Sequence, residues 1–153
     1  MVAMFKPIQP AKRVLVVDND TAVAADICDF LNANDHFQAE HVGDGDSAFE
    51  ACRREHFDLV IVEYLVPGMD ALQLLSVLKR LNSHSVPAIL LSGNSLGELA
   101  LRSGAAAFLE KPFPTDRLLD EVAKIPGMTA GAGDPGMASS FSVIEDPQQK
   151  LLG

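Results

Sequence analysis

The chain has 153 residues, a net charge of −9, and a composition that is 48% hydrophobic but only 6% aromatic. That length fits one domain with a short extension, and the aliphatic bias suits an α/β core better than a β-sandwich. The acidic balance argues against a nucleic-acid surface, which needs clustered Lys and Arg, and no apolar run approaches the ~20 residues of a membrane span.

The opening, Met1 to Arg13, carries Lys6, Lys12 and Arg13 but no apolar stretch of a signal peptide. Residues 1–11 are therefore read as an N-terminal arm, ahead of a domain over 12–125. The first apolar run, Val14 to Val17, ends on Asp18-Asn19-Asp20. A helical stripe follows at Val23, Ile27, Phe30 and Leu31, with Asn19 or Asp20 available as its N-cap. Phe37 to Val42 is the weakest strand candidate, flanked by His36 and His41. Ala48, Phe49 and Cys52 form the second stripe. The run Leu59-Val60-Ile61-Val62 ends on Glu63 and leads into Tyr64-Leu65-Val66-Pro67-Gly68-Met69-Asp70. Asp70 opens a third stripe at Leu74, Leu75, Leu78 and Leu81. Ala88 to Leu91 ends on Ser92, and a short helix from about Ser95 to Ser103 should stop at Gly104. Ala107 to Glu110 leads to Lys111, and Leu118, Leu119 and Val122 form the last stripe behind Pro114.

Short runs rich in Val, Ile and Leu without alternation are the mark of parallel strands buried on both faces. Strand followed by helix, five times over, predicts a doubly wound parallel sheet with right-handed crossovers. Such sheets bind ligands at the carboxyl ends of their strands. Asp18, Glu63, Ser92 and Lys111 all stand there: two acids, a hydroxyl and a lysine. The acids suit a hard cation such as Mg²⁺, and the lysine and hydroxyl suit phosphoryl oxygens. From Pro126 the chain turns Gly- and Pro-rich, so 126–153 is read as a flexible tail. Within it, Phe141-Ser142-Val143-Ile144-Glu145-Asp146 is apolar enough to pair as a strand on this domain or on a partner. Cys28 and Cys52 sit in helical patterns and read as reduced core thiols, which points to the cytoplasm. His36, His41, His56 and His84 lack metal-ligand spacing.

Four ordered motifs carry a family resemblance. They are Val14-Leu15-Val16-Val17-Asp18-Asn19-Asp20, Asp58-Leu59-Val60-Ile61-Val62-Glu63 with Pro67-Gly68-Met69-Asp70, Ser92-Gly93, and Lys111-Pro112-Phe113. Over residues 12–125 the chain resembles the receiver domain of two-component response regulators, chemotaxis regulator-like. The resemblance implies a flavodoxin-like fold of five parallel strands in the order 2-1-3-4-5. It implies Mg²⁺ held by Asp18 with Asn19, by the residue at the Glu63 position and by the Leu65 carbonyl. Ser92 and Lys111 would bind phosphoryl oxygens, Ser92 and Phe108 would form the conformational switch, and Lys111–Pro112 would be a cis peptide.

The departures from the family pattern matter more. Glu63 stands where the family's phosphoacceptor is aspartate, and its extra methylene moves the carboxylate ~1.5 Å. A displacement on that scale can cost about a hundredfold in an in-line attack. Asn19 replaces one acid of the metal-binding pair, and Asp20 is better placed to cap the helix. Ala71 replaces a glycine. Phe108 lacks a switch hydroxyl and reads equally well as a core aromatic. The sequence therefore predicts an atypical, non-enzymatic receiver with weakened or lost Mg²⁺ binding. It would work by contact with a signalling protein, a histidine kinase or an output protein, through Leu96, Leu99, Phe108 and Leu118. Receivers often pair through that face, so a homodimer is compatible. Two other readings stand beside this one. The site could still accept phosphate slowly with Mg²⁺, or it could be vestigial with the tail binding a partner.

Overall fold

The computed structural model describes residues 10–81, 85–93, 102–128 and the backbone of 143–144. Five parallel strands form one sheet: β1 (Lys12–Val17), β2 (Phe37–Val42), β3 (Leu59–Glu63), β4 (Ala88–Ser92) and β5 (Ala107–Glu110), in the order β2-β1-β3-β4-β5. The strand–helix alternation predicted a doubly wound parallel sheet, and the order is the flavodoxin-like one that the resemblance implied. The helices are α1 (Thr21–Asn32), α2 (Gly45–Arg54), α3 (Ala71–Leu78) and α4 (Thr115–Ala123).

The absence of polar alternation in the central strands has a direct cause. Val14 and Val16 face one apolar layer with Ile61, the α1 side chains Val23, Ile27 and Leu31, and the α4 side chains Leu118 and Val122. Leu15 and Val17 face the opposite layer with Val60 and Val62, Cys52 from α2, and Leu74, Leu75 and Leu78 from α3. Successive residues of a strand point to opposite faces, so a sheet covered on both sides needs apolar residues throughout. The first layer continues past α4 into Ile125 and Met128, both buried.

β2 forms over the span expected for it, although its sequence is the least apolar. It is an edge strand with β1 as its neighbour, so most of its side chains meet water. Asn32 at the end of α1 secures it: its Nδ2 donates to the Ala39 carbonyl at 3.0 Å, and its Oδ1 accepts from the Ala39 N–H at 2.7 Å.

Asp20, not Asn19, caps α1; one of its oxygens accepts from the N–H groups of Ala22 and Val23. Asp70 caps α3 in a reciprocal box with Gln73. The third stripe ends with its helix at Leu78, and Leu81 lies just beyond, packed against the same layer. The helix expected over about 95–103 lies outside the described residues except at Arg102 and Ser103. Gly104 does take a left-handed φ of 96°, as a residue ending a helix does.

The expected docking face differs from what the fold presents. Leu118 was placed on a docking face with Leu96, Leu99 and Phe108, but it is 0% exposed in the core between α4 and the sheet. It belongs to the same buried stripe as Leu119 and Val122. Leu96 and Leu99 lie outside the described residues, and Phe108 is half-buried against the layer of Leu15 and Val17. A further element is a short antiparallel ribbon of β6 (Phe113–Pro114) and β7 (Val143–Ile144).

Candidate functional site

The sheet register brings the polar strand ends to one edge. Val17 pairs with Val62, Glu63 with Leu91, and Ser92 with Glu110. Asp18 therefore follows β1, Glu63 and Ser92 end β3 and β4, and Lys111 follows β5 at a common level. Asp18 and Ser92 are each 1% exposed and Glu63 is 9% exposed. Carboxylates so placed need partners, since burying an unpaired charge is costly.

Lys111 supplies that partner. Its Nζ donates to Glu63 Oε1 at 2.7 Å and to Asp18 Oδ2 at 2.9 Å. The remaining oxygens are also engaged. Glu63 Oε2 accepts from the Leu65 N–H at 3.2 Å, and Asp18 Oδ1 accepts from the Asp20 N–H at 2.9 Å. The lysine is aimed by its backbone. Its N–H donates to the Ser92 carbonyl at 2.8 Å, and the Lys111–Pro112 bond is cis, as the resemblance implied. Burial works against the charge of Lys111, but the hydrogen bonds to Glu63 and Asp18 outweigh it and hold the ammonium above the usual lysine value. Two carboxylates thus share one ammonium, leaving the cluster with a net charge of about −1.

The loop after β3 is held from below. The Tyr64 N–H donates to the Leu91 carbonyl at 2.8 Å, and the Gly45 N–H donates to the Pro67 carbonyl at 3.0 Å. A Cβ at Gly45 would overlap the Met69 carbonyl, so only glycine lets the start of α2 lie against this loop. No motif marked Gly45. Its sole signal was a glycine between two acids at a helix start. Leu65, at the crest of the loop, is 66% exposed and is the exposed large hydrophobic residue among those described.

The expected site residues therefore divide. Asp18, Glu63, Ser92 and Lys111 meet at one edge, and Leu65 contributes its N–H to Glu63. Asn19 is exposed, and Asp20 is committed to the α1 cap. Among the described residues no three His, Cys, Asp or Glu side chains converge as metal ligands. Asp18 and Glu63 offer oxygen chemistry suited to Mg²⁺. Each, however, already gives one oxygen to a cation and the other to a backbone N–H. This donor set fits Mg²⁺ poorly as it is arranged.

The family model for the response regulator receiver domain matches residues 14–123. The response regulator protein FleR of Pseudomonas aeruginosa is 35% identical over 146 residues, covering 93% of this chain and 30% of FleR. The DNA-binding response regulator MtrA of Mycobacterium tuberculosis is 31% identical over 114 residues, covering 72% of this chain and 49% of MtrA. The chain thus spans 30 to 49% of the length of these curated relatives. Among solved structures, the receiver domain of Francisella response regulator 1452 superposes with a TM-score of 0.66 at 28% identity, over 73% of this chain and 93% of that one. A CheY-like receiver from Methanospirillum hungatei gives 0.67 at 25% identity, over 74% and 92%. No helix among the described residues is long and apolar enough to cross a membrane. With the sheet order and these matches in agreement, the chain belongs to the response regulator receiver domain family of two-component signalling.

Proposed function

We propose that this receiver acts without phosphorylation, as a protein-contact module whose pocket is held in one state by Glu63. The observation that carries this reading is the bridge from Lys111 Nζ to Glu63 Oε1 at 2.7 Å. An attacking carboxylate needs a free oxygen in line with the phosphoryl group. Here one Glu63 oxygen is bound to the ammonium and the other to the Leu65 N–H. The lysine that would hold a phosphoryl oxygen is itself occupied by Asp18 and Glu63.

Receiver domains typically bind Mg²⁺, and in this chain that affinity is weakened. Asn19 contributes no charge, and a cation entering the pocket would have to displace or repel the Lys111 ammonium. Mg²⁺ demands near-octahedral geometry and gives up its water reluctantly. Two carboxylates already committed to other donors offer it little. The domain is accordingly not an enzyme toward itself, and its output is set by which signalling protein it contacts.

The test is incubation with acetyl phosphate and Mg²⁺, followed by intact mass. The wild type should keep its mass, whereas Glu63→Asp, which shortens the carboxylate and frees the lysine, should gain one phosphoryl group. Phosphorylation of the wild type on a minutes timescale would overturn the reading.

A further inference from the structure

The β6–β7 ribbon is the feature that the phosphoryl pocket does not explain. β7 pairs antiparallel with β6, with Phe113 opposite Ile144 and Pro114 opposite Val143. The β7 backbone also lies beside α1. β6 begins two residues after Lys111 and runs directly into α4. A segment seated on β6 therefore touches the same short stretch that carries the pocket's lysine and starts the last helix.

We infer that the Phe113–Pro114 edge beside α1 is a strand-addition site for extended, β-branched protein segments, with the chain's own Val143–Ile144 as its resident occupant. This goes beyond the Glu63 reading and does not depend on it. Three properties support exchange at this edge. First, the pairing spans two residues a side, and so short a ribbon is marginal in water. Second, Pro114 has no N–H and so cannot donate to a longer ladder, which keeps the site short and its register fixed. Third, Val143 and Ile144 are strong strand formers, and Glu145 and Asp146 follow them in a segment that otherwise reads as linker.

Recognition would then be by main-chain hydrogen bonds, with side chains setting preference. The resident segment belongs to the same chain, so its pairing is intramolecular, and such a contact competes at an effective concentration on the order of a millimolar. A partner must bind tightly enough to overcome that local competition from Val143–Ile144.

The experiment uses the full chain, ¹⁵N-labelled, as wild type and as the double variant Val143→Pro with Ile144→Pro. The substitutions remove two donors from β7 and leave the folded core untouched. We expect amide shift changes at Phe113, Thr115 and α1, with Glu63 and Ser92 unmoved. A peptide of residues 141–146 should then shift Phe113 in the double variant saturably at millimolar concentration. The wild type should require at least about tenfold more, because its own segment competes. Wild-type and variant spectra that coincide at Phe113 and Thr115 would overturn the inference, as would a variant that changes but does not take the peptide. Both readouts lie at β6, so failure here leaves the Glu63 reading standing, and the phosphorylation assay leaves this one standing.

Discussion

Lys111→Met tests whether the ammonium bridge holds the pocket together. The substitution keeps most of the side-chain volume and removes the charge. It strands Asp18, 1% exposed, and Glu63, 9% exposed, facing each other with no cation between them. Two charge-assisted hydrogen bonds, at 2.7 and 2.9 Å, are lost. Removing one partner of a buried pair costs about 3–5 kcal/mol. Glu63 keeps slight exposure at the rim of the sheet, so the lower end of that range, about 3 kcal/mol, is expected. Against a total stability of ~5–15 kcal/mol, that is a large fraction.

Urea unfolding at neutral pH would read this as a midpoint lowered by about 1–3 M with an unchanged slope, taking m near 1–3 kcal/mol per M. The double variant Lys111→Met with Glu63→Gln supplies the internal control. Neutralising Glu63 removes one of the two stranded charges, so the double variant should be more stable than Lys111→Met alone. The coupling energy of the cycle should lie at about 1.5–3 kcal/mol. A cost below about 1 kcal/mol for Lys111→Met, with a coupling near zero, is the behaviour of a solvent-screened surface pair. That result would refute both the bridge and the argument that it locks Glu63 away from phosphoryl transfer.

Three other contacts give measurable outcomes. Arg13 lies with its guanidinium 4.5 Å above the Phe57 ring and 3.0 Å from Glu55, so Arg13→Ala should cost about 1–2 kcal/mol in urea unfolding. Arg13→Lys should recover only part of this, because lysine has no planar group to lie over the ring. Burial pushes the thiols of Cys28 and Cys52 up to about 11 from 9.0. They should therefore react about a hundredfold more slowly with a thiol reagent at pH 8 than a free cysteine. Since the folded thiols keep protons that the unfolded chain releases, their contribution to stability is intact below pH 9 and declines as pH rises from 9 towards 11, visible as a falling urea midpoint. Asp70→Ala removes the α3 capping box and should cost about 1 kcal/mol by the same unfolding assay.

How much of this was legible in the sequence depended on how local the physics was. The central strands were legible because burial on both faces leaves an uninterrupted apolar run such as Leu59 to Val62. The edge strand β2 gives the weakest signal of the five, because its placement depends on Asn32 gripping Ala39 and on a single neighbouring strand, neither of which appears in its own composition. Asp20 as a cap was readable because capping acts within three residues. The positions of the four polar strand ends followed from topology alone. What they do to one another did not: Lys111 reaches Asp18 and Glu63 across separations of 93 and 48 residues. Nothing in the local pattern says that one ammonium will satisfy both.

Leu118 shows the opposite case, in which local physics was present and was overridden. Leu118, Leu119 and Val122 repeat at the spacing of a single helical face, and on an amphipathic helix packed against a sheet that face is the buried one. The family resemblance suggested an output surface in this region, and Leu118 was carried onto it against its own periodicity. The structure places it at 0% exposure. Of the four residues assigned to that surface, Phe108 remains in view among the described ones, and only half-buried. The crest at Leu65 is instead the exposed apolar feature among the described residues, and the β6 edge is already paired with β7. Leu65 and β6 both adjoin the Lys111 bridge, Leu65 through its N–H to Glu63 and β6 through Pro112, the one residue between it and the lysine. Of these two, Leu65 hydrogen-bonds a member of the bridge directly, whereas a change at β6 is expected to leave Glu63 unmoved.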